Sequence, residues 1–494
     1  MHIVFAASEC VPFIKTGGLA DVIGALPAEL VRQGQQVTVY LPLFRQVQAY
    51  LDAHQSLEQQ LRGSKIAIRS LTLPFPSYNR FVSILDGGQR EGVQFYFVDC
   101  PELFDRESPY GPPGADYADN WERFGLFARA VLEASKQLGV PDVFHLHDWQ
   151  AALAAVYLRT TYARDPVLER AATMLTIHNA GFQGFFPPQT TERLLLPWEL
   201  FAWNRLEHYG TFNFLKGGLV YADVLTTVSR SYAAEIQTPE FGNSLEGVLQ
   251  ERSGDLHGIL NGVDYQRWDP EHDGCIAAHY TRDHLEGKAL CRRDLLHAFG
   301  SLPTPDATPV LGIVSHFATR KGFDLIAEIA PQLAERDLRL LALGTGEPYY
   351  ENLFRSLEER YPGRFGVRVT YDNTLAHKIE AGADIFLMPS RYEPCGLNQI
   401  YSLRYGTVPV VRATGGLNDT VEEWNGEQQT GTGFKFSGYA ASDFLAAIDR
   451  ALTLFADRQR WLTLMRNGMQ KEYSWQQPAS QYIALYEEVV RRRS

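Results

Sequence analysis

His2-Ile3-Val4-Phe5-Ala6-Ala7, followed by Lys15-Thr16-Gly17-Gly18-Leu19-Ala20-Asp21, is the stretch whose reading decides the fold. The apolar run reads as a buried strand, and Leu19, Val22, Ile23, Leu26, Leu30 and Val31 recur at helical spacing behind the glycines. The glycines therefore stand at a strand-to-helix turn. There the backbone can approach a ligand closely, and unpaired amides plus the helix dipole favour a phosphate. Lys15 adds a cation at the same place. A turn of related chemistry, Ser315-His316-Phe317-Ala318-Thr319-Arg320-Lys321-Gly322, recurs in the second half of the chain, which points to one phosphorylated ligand met twice.

Outward from that turn, strand-like runs at 37–41, 93–98, 143–146, 173–177 and 224–228 alternate with amphipathic helical segments. This is the pattern of a parallel sheet covered by helices. It resumes at 310–314, 338–343, 367–370, 385–388 and 408–411. The stretch 261–309 between the two series is irregular, with breaker signals at Trp268-Asp269-Pro270 and Ser301-Leu302-Pro303-Thr304-Pro305 around a helical segment at 289–299. The expected architecture is α/β: two doubly wound, Rossmann-like domains, residues 1–258 and 259–473.

Composition agrees with two domains, since 494 residues with 45% hydrophobic content exceed what one core usually holds. No apolar stretch reaches the roughly 18 residues that a membrane span needs. The N-terminus runs straight into a strand without a secretory signal, so the expectation is a soluble, cytoplasmic protein, or one in a plastid-like compartment had a transit peptide been removed. A net charge of −12 speaks against nucleic acid and anionic membranes as partners, because both select positive surface. Cys10, Cys100, Cys275, Cys291 and Cys395 are scattered and lack a CxxC pair, which argues against a disulfide framework and against a zinc site.

In open parallel sheets, ligands bind beyond the carboxyl ends of the strands. Those positions carry His147-Asp148-Trp149, His178-Asn179-Ala180-Gly181-Phe182, Asn261-Gly262-Val263-Asp264 and Pro389-Ser390-Arg391-Tyr392-Glu393-Pro394-Cys395-Gly396-Leu397. Together they predict an interdomain cleft suited to a sugar diphosphate. Singly, each has a plainer reading. Lys15–Gly18 and Gly415-Gly416-Leu417-Asn418-Asp419 could be helix starts, His178 and Asn179 satisfied turn residues, and Glu393 a solvated carboxylate. Trp149, Phe182, Phe185 and Phe186 could be core or rim aromatics. Their recurrence, in order, at strand ends favours the functional reading.

Taken in order, these motifs, with Asn213-Phe214-Leu215-Lys216-Gly217-Gly218 and Gly415 to Val421, resemble the bacterial glycogen synthase and plant starch synthase family, glycosyltransferase family 5, over nearly the whole chain. The resemblance implies the GT-B fold and transfer of glucose from ADP-glucose to the non-reducing end of an α-1,4-glucan, with retention of configuration. It implies that 474–494 is a crossing helix returning to the first domain. It implies that Lys321 and the amides of Lys15 to Gly18, Gly17 among them, hold the diphosphate and offset charge on departing ADP. Glu393 would position glucose hydroxyls and stabilise positive character at the anomeric carbon, and Tyr371 would stack on adenine. His178 would lie beside the reacting sugar, with Asp21, Asn179 and Asn261 completing its polar contacts. Ser390, Cys395, Gly396 and Leu397 complete the substrate-binding set. A same-face displacement is the implied route to retention, and no metal or other cofactor is implied, since cationic side chains do a bound magnesium's work.

One departure stands out: where the family has Ser-Arg ahead of Gln-Lys-Gly, this chain has Ser315-His316 and Arg320-Lys321-Gly322. Histidine lacks the permanent charge and forked geometry of arginine. Slower turnover, higher activity at lower pH, a changed donor, or compensation by Arg320 are the expected consequences. Two alternatives follow: a GT-B transferase using UDP-glucose or a small acceptor, and a weakly active glucan-binding protein. A glycoside hydrolase would need two carboxylates flanking the bond, and the motifs offer mainly one.

Overall fold

The structure, a computed structural model, describes residues 1–54, 65–112, 114–300 and 304–493. Contacts divide the chain into two units: Met1–Val228 with Ala233–Gly262 and Trp475–Ser494, and Ser229–Tyr232 with Val263–Ser474. The sequence reading divides the chain at 258/259, whereas residues 259–262 cluster with the first unit. Of the breaker signals, 301–303 lie outside the described residues, as does Ser494 of the closing segment.

The first unit is built on β1 (His2–Ala6), β2 (Gln36–Pro42), β3 (Ile66–Pro74), β4 (Asn79–Arg90), β5 (Val93–Asp99), β6 (Val143–His147) and β7 (Ala172–Ile177). Three short strands, β8 (Phe185–Phe186), β9 (Glu207–His208) and β10 (Thr211–Asn213), form a separate small sheet, and β11 (Val224–Thr227) and β12 (Leu256–Gly258) complete the large one. Its order is β12-β11-β7-β6-β1-β2-β5-β4-β3, parallel from β12 through β5, with β4 and β3 added antiparallel. The chain winds from β1 to β2 and β5 on one side, then returns to β6 on the other. That reversal places the switch point between β1 and β6, beside the Lys15 turn.

β6 and β7 are buried along their whole length, as strands covered on both faces must be. The helix Gly18–Arg32 turns Leu19, Val22, Ile23, Leu26 and Leu30 into the core. The closing helix Gln476–Arg493 docks on the same unit: Tyr486 Oη lies 2.7 Å from His145 Nδ1, and Arg493 grips Asp223 Oδ1 through Nη2 and Nε at 2.7 and 3.0 Å.

The second unit carries β13 (Val310–Val314), β14 (Arg339–Leu343), β15 (Phe365–Arg368), β16 (Ile385–Met388), β17 (Val408–Arg412) and β18 (Phe434–Phe436), all parallel in the order β15-β14-β13-β16-β17-β18. Its switch point lies between β13 and β16. β15 begins and ends two residues ahead of the predicted 367–370. Asp372 accepts from the Leu375 amide at 2.9 Å to cap the helix Asn373–Gly382, so the chain leaves the sheet before Thr370. Leu340, Ile385, Val408, Val410 and Phe444 are among the residues of its core. None of the five cysteines forms a disulfide. Among the described residues, no helix is long and apolar enough to cross a membrane.

Candidate active site

At the switch point of the second unit, the residues that follow β13 and β16 line a pocket of about 160 Å³. Ser315, His316, Lys321, Ser390, Glu393, Gly396, Leu397 and Asn398 all contribute. Lys321 Nζ donates to Glu393 Oε2 at 2.5 Å, and Ser390 Oγ donates to the same oxygen at 3.0 Å. The lysine retains 22% side-chain exposure against 8% for the glutamate, so a buried carboxylate is fixed by two donors while the cation still faces the opening. Asn398 Nδ2 ties the end of β13 to this loop through the Val314 carbonyl at 2.7 Å.

Backbone packing explains the glycines here. Gly322 has φ +80° and a β-carbon there would sit 2.1 Å from the Pro389 carbonyl oxygen, so the Lys321 turn rests directly on the strand end. Gly415 and Gly416 bring a helix start against the Glu393 loop: the Gly416 amide donates to the Glu393 carbonyl at 3.1 Å, and β-carbons at the two positions would meet the Glu393 and Cys395 carbonyls at 1.9 and 2.0 Å. Cys395 is buried, and its carbonyl accepts from Gln399 Nε2 at 3.0 Å; it supports the loop and does not line the pocket. Tyr371 is 80% exposed and also lies outside that lining. His316 titrates below the usual histidine range, chiefly through burial, with the Arg320 and Lys321 charges adding to the effect against Glu347.

In the first unit, Lys15 Nζ pairs with Asp21 Oδ1 at 2.8 Å at a largely exposed site. Gly17 and Gly18 face open space, with nothing within 4 Å of where a β-carbon would stand. Glu9, absent from the sequence reading, lies buried beneath the turn. It accepts from the Thr16 amide at 2.5 Å, the Thr16 hydroxyl at 2.5 Å, the Gly17 amide at 3.1 Å and the Tyr110 hydroxyl at 2.6 Å. The reading that gave every amide of the turn to a phosphate is thus corrected for Thr16 and Gly17, whose N–H groups point to an internal carboxylate. No sequence signal marks Glu9 apart from its place just beyond β1.

The ends of β6 and β7 meet in a histidine cluster. His147 Nδ1 lies 3.0 Å from His178 Nε2, and the His178 amide donates to Asp148 Oδ1 at 2.7 Å. Burial pushes His178 down to about 3, so its ring is neutral at physiological pH and acts there as a hydrogen-bonding group. Asp148 adopts φ +54°, an uncommon conformation for a non-glycine residue, and is pushed up to about 7, mainly by burial, against the amides of His178 and Asn179. Asn179 Oδ1 accepts from the Gly181 amide at 2.9 Å in a tight turn. Asn261 is buried and its Oδ1 has no hydrogen-bond partner among the described residues, a polar atom suited to a ligand or water.

Two further groups are structural. Lys216 is 5% exposed, and its ammonium donates to the Trp203 and Glu207 carbonyls at 2.5 and 2.6 Å, so the Asn213–Gly218 motif anchors a loop. Asp273, Cys275 and His377 gather in the second unit, where Asp273 Oδ2 is 2.7 Å from His377 Nδ1 and accepts from Tyr405 at 2.5 Å. There Trp268 stacks between His377 and Tyr401, at 3.6 and 4.0 Å.

The family model of the starch synthase catalytic domain matches residues 2–251, and that of glycosyl transferases group 1 matches residues 297–463. Over 494 residues, covering 100% of this chain and 99% of the relative, the sequence is 56% identical to the glycogen synthase of Koribacter versatilis (strain Ellin345). The chain belongs to the glycogen and starch synthase family. A glycogen synthase of Anaeromyxobacter dehalogenans (strain 2CP-C) is 46% identical, with 98% of this chain and 99% of that one covered. The catalytic domain of Starch Synthase IV from Arabidopsis thaliana, solved with ADP and acarbose, matches with a TM-score of 0.86 and 30% identity over 99% of both chains. Sucrose-phosphate synthase from Thermosynechococcus elongatus, at 16% identity, TM-score 0.58, and coverage of 99% of this chain and 98% of that one, shares the fold. As a member of the family, the chain is a glycosyltransferase of the GT-B fold that transfers glucosyl units to a glucan.

Proposed function

We propose that the donor is ADP-glucose, that glucose goes to the non-reducing end of an α-1,4-glucan such as glycogen, starch or a maltooligosaccharide with retention of configuration, and that the enzyme works in the cytoplasm. The observation that carries this reading is the Lys321–Glu393–Ser390 constellation at the second switch point, where an open α/β sheet binds nucleotides. That a relative similar over its whole length was solved with ADP supports an adenine nucleotide.

In this reading the Lys321 ammonium turns from Glu393 towards the diphosphate and offsets the charge that grows as ADP leaves. Glu393, kept in place by Ser390, accepts hydrogen bonds from the glucose hydroxyls and stabilises positive character at the anomeric carbon. The acceptor hydroxyl attacks from the face that ADP departs. Neutral His178, Asp21, Asn179 and Asn261 supply polar contacts in the first unit, where Lys15 and the open face at Gly17 and Gly18 receive anionic or sugar groups. Lysine is assigned the charge-offsetting role because its ammonium lines the pocket beside Glu393 and keeps 22% side-chain exposure.

Labelled glucose supplied as ADP-glucose or UDP-glucose, with glycogen as acceptor, tests the proposal. Incorporation from ADP-glucose that unlabelled ADP-glucose suppresses and UDP-glucose does not is the expected result. Preference for UDP-glucose would overturn the donor assignment, and a sugar trapped covalently on a side chain would overturn the same-face route.

A further inference from the structure

Between the His178 turn and the helix Phe214–Tyr221, the chain builds the small β8-β10-β9 sheet and leaves large aromatic side chains bare. Tyr209 is 83% exposed, Trp203 78% and Phe185 50%. Single exposed aromatics are ordinary, but these share a rigid scaffold. Lys216, itself buried, holds the carbonyls of Trp203 and Glu207, fixing the backbone that carries Trp203 next to the β9–β10 hairpin. The Phe185 and His208 rings lie near-parallel with centroids 6.0 Å apart, and Tyr209 meets His208 edge-on at 4.8 Å.

Tyr209 is the most telling position. It and Gly210 form the two-residue connection of β9 and β10, with φ +47° and +79°. Such a turn favours Asn-Gly, and a bulky residue at the first position is strained. Neither turn geometry nor burial accounts for a tyrosine there, because its side chain is nearly all in solvent.

We propose that this surface binds an α-glucan chain away from its reacting end and so retains polymeric acceptors on the enzyme. The proposal rests on glucan being the acceptor. A neutral, hydroxyl-rich polymer fits the charge balance, since Glu192, Glu199 and Glu207 stand against Arg193 and Arg205 across the segment, whereas a polyanion would need an excess of cations. Rigid aromatic faces give contact area to the apolar faces of sugar rings at low conformational cost. Core packing holds the small sheet in place: Phe186, next to Phe185 in β8, lies 6.0 Å from the buried Trp149 ring of the helix that starts at Asp148.

Trp203→Ala and Tyr209→Asn, singly and combined, test the proposal by gel retardation in glycogen, measured without donor, and by kinetics with glycogen and with maltotriose. Because Asn-Gly suits the turn, Tyr209→Asn should melt no lower than the parent, so it separates binding from folding. The double variant should lose about three- to tenfold in glycogen retention and raise KM for glycogen equally, through loss of local tethering, while maltotriose kinetics stay within about twofold. Unchanged retention in folded variants would overturn the proposal. So would an equal loss with maltotriose, or a change in oligomeric state with retention intact. A parent chain that retains glycogen yet transfers no glucose would refute the transfer reading and leave this one standing.

Discussion

The two glycine-bearing turns look alike in sequence and are held for opposite reasons. In the first unit, Gly17 and Gly18 face open space, and the turn is clamped from beneath by the buried Glu9 carboxylate. In the second, Gly322 is pressed against the Pro389 carbonyl, and open space belongs to the neighbouring Lys321. The lysines differ as well: Lys15 pairs with Asp21 near solvent, whereas Lys321 pairs with a carboxylate that is 8% exposed. A glycine beside a lysine is therefore an ambiguous sign. In one turn it borders open space, and in the other it lets two backbone segments touch so that a side chain can be aimed.

The comparison can be broken most severely at Lys321. Lys321→Ala should lower kcat for transfer from ADP-glucose by about 10²–10³, the usual effect of removing one preorganised charge-stabilising group; a loss below about fivefold would deny it that role. Next come the glycines. Gly322→Ala should destabilise the chain by about 2–3 kcal/mol in denaturant melts, from backbone strain and the clash with Pro389. Gly17→Ala, at φ −151° and facing open space, should alter stability by no more than about 1 kcal/mol. Its effect should fall on substrate KM instead. Equal destabilisation at both positions would erase the distinction.

Glu9→Gln exchanges one acceptor oxygen for an amide that faces N–H and O–H donors, and should destabilise by about 1–2 kcal/mol. A variant as stable as the parent would show that the clamp does not matter. A smaller effect is expected at His316, whose titration below the usual range leaves it neutral near pH 7. His316→Arg should raise turnover about two- to tenfold by restoring a permanent charge beside the diphosphate. Protonation adds charge to His316 and takes place below the usual histidine value of 6.5, so donor KM should stay flat from pH 8 to about 6.5 and fall only below that in the parent, and stay flat throughout in the arginine variant. Smallest of all, Asp21→Asn should cost at most about 0.5 kcal/mol, as exposed ion pairs do.

The parallel strands of both sheets and the polar turns after them were legible in the sequence, because buried parallel strands read as apolar runs, whereas the switch points depend on strand order and came from the structure. The family resemblance implied that Lys321, Ser390 and Glu393 act on one substrate, and the structure brings the three side chains into contact. The β3–β4 hairpin was missed: its alternation is interrupted by register shifts, and a half-exposed antiparallel edge carries a weaker signal than a buried strand. Glu9 and Lys216 were missed in their structural roles because both act on backbone groups, and a sequence does not show where a main-chain amide or carbonyl points. Stacking of Tyr371 on adenine was implied by the family resemblance alone, and the ring is 80% exposed just ahead of the helix that Asp372 caps.

Calorimetric titration of ADP into the parent chain and into Lys321→Ala tests the central claim most directly, since it isolates the charge of the leaving group from acceptor chemistry. Saturable ADP binding to the parent, weakened about tenfold or more in the variant with its thermal melt intact, is the predicted result. Equal affinity of ADP for the two proteins would contradict it.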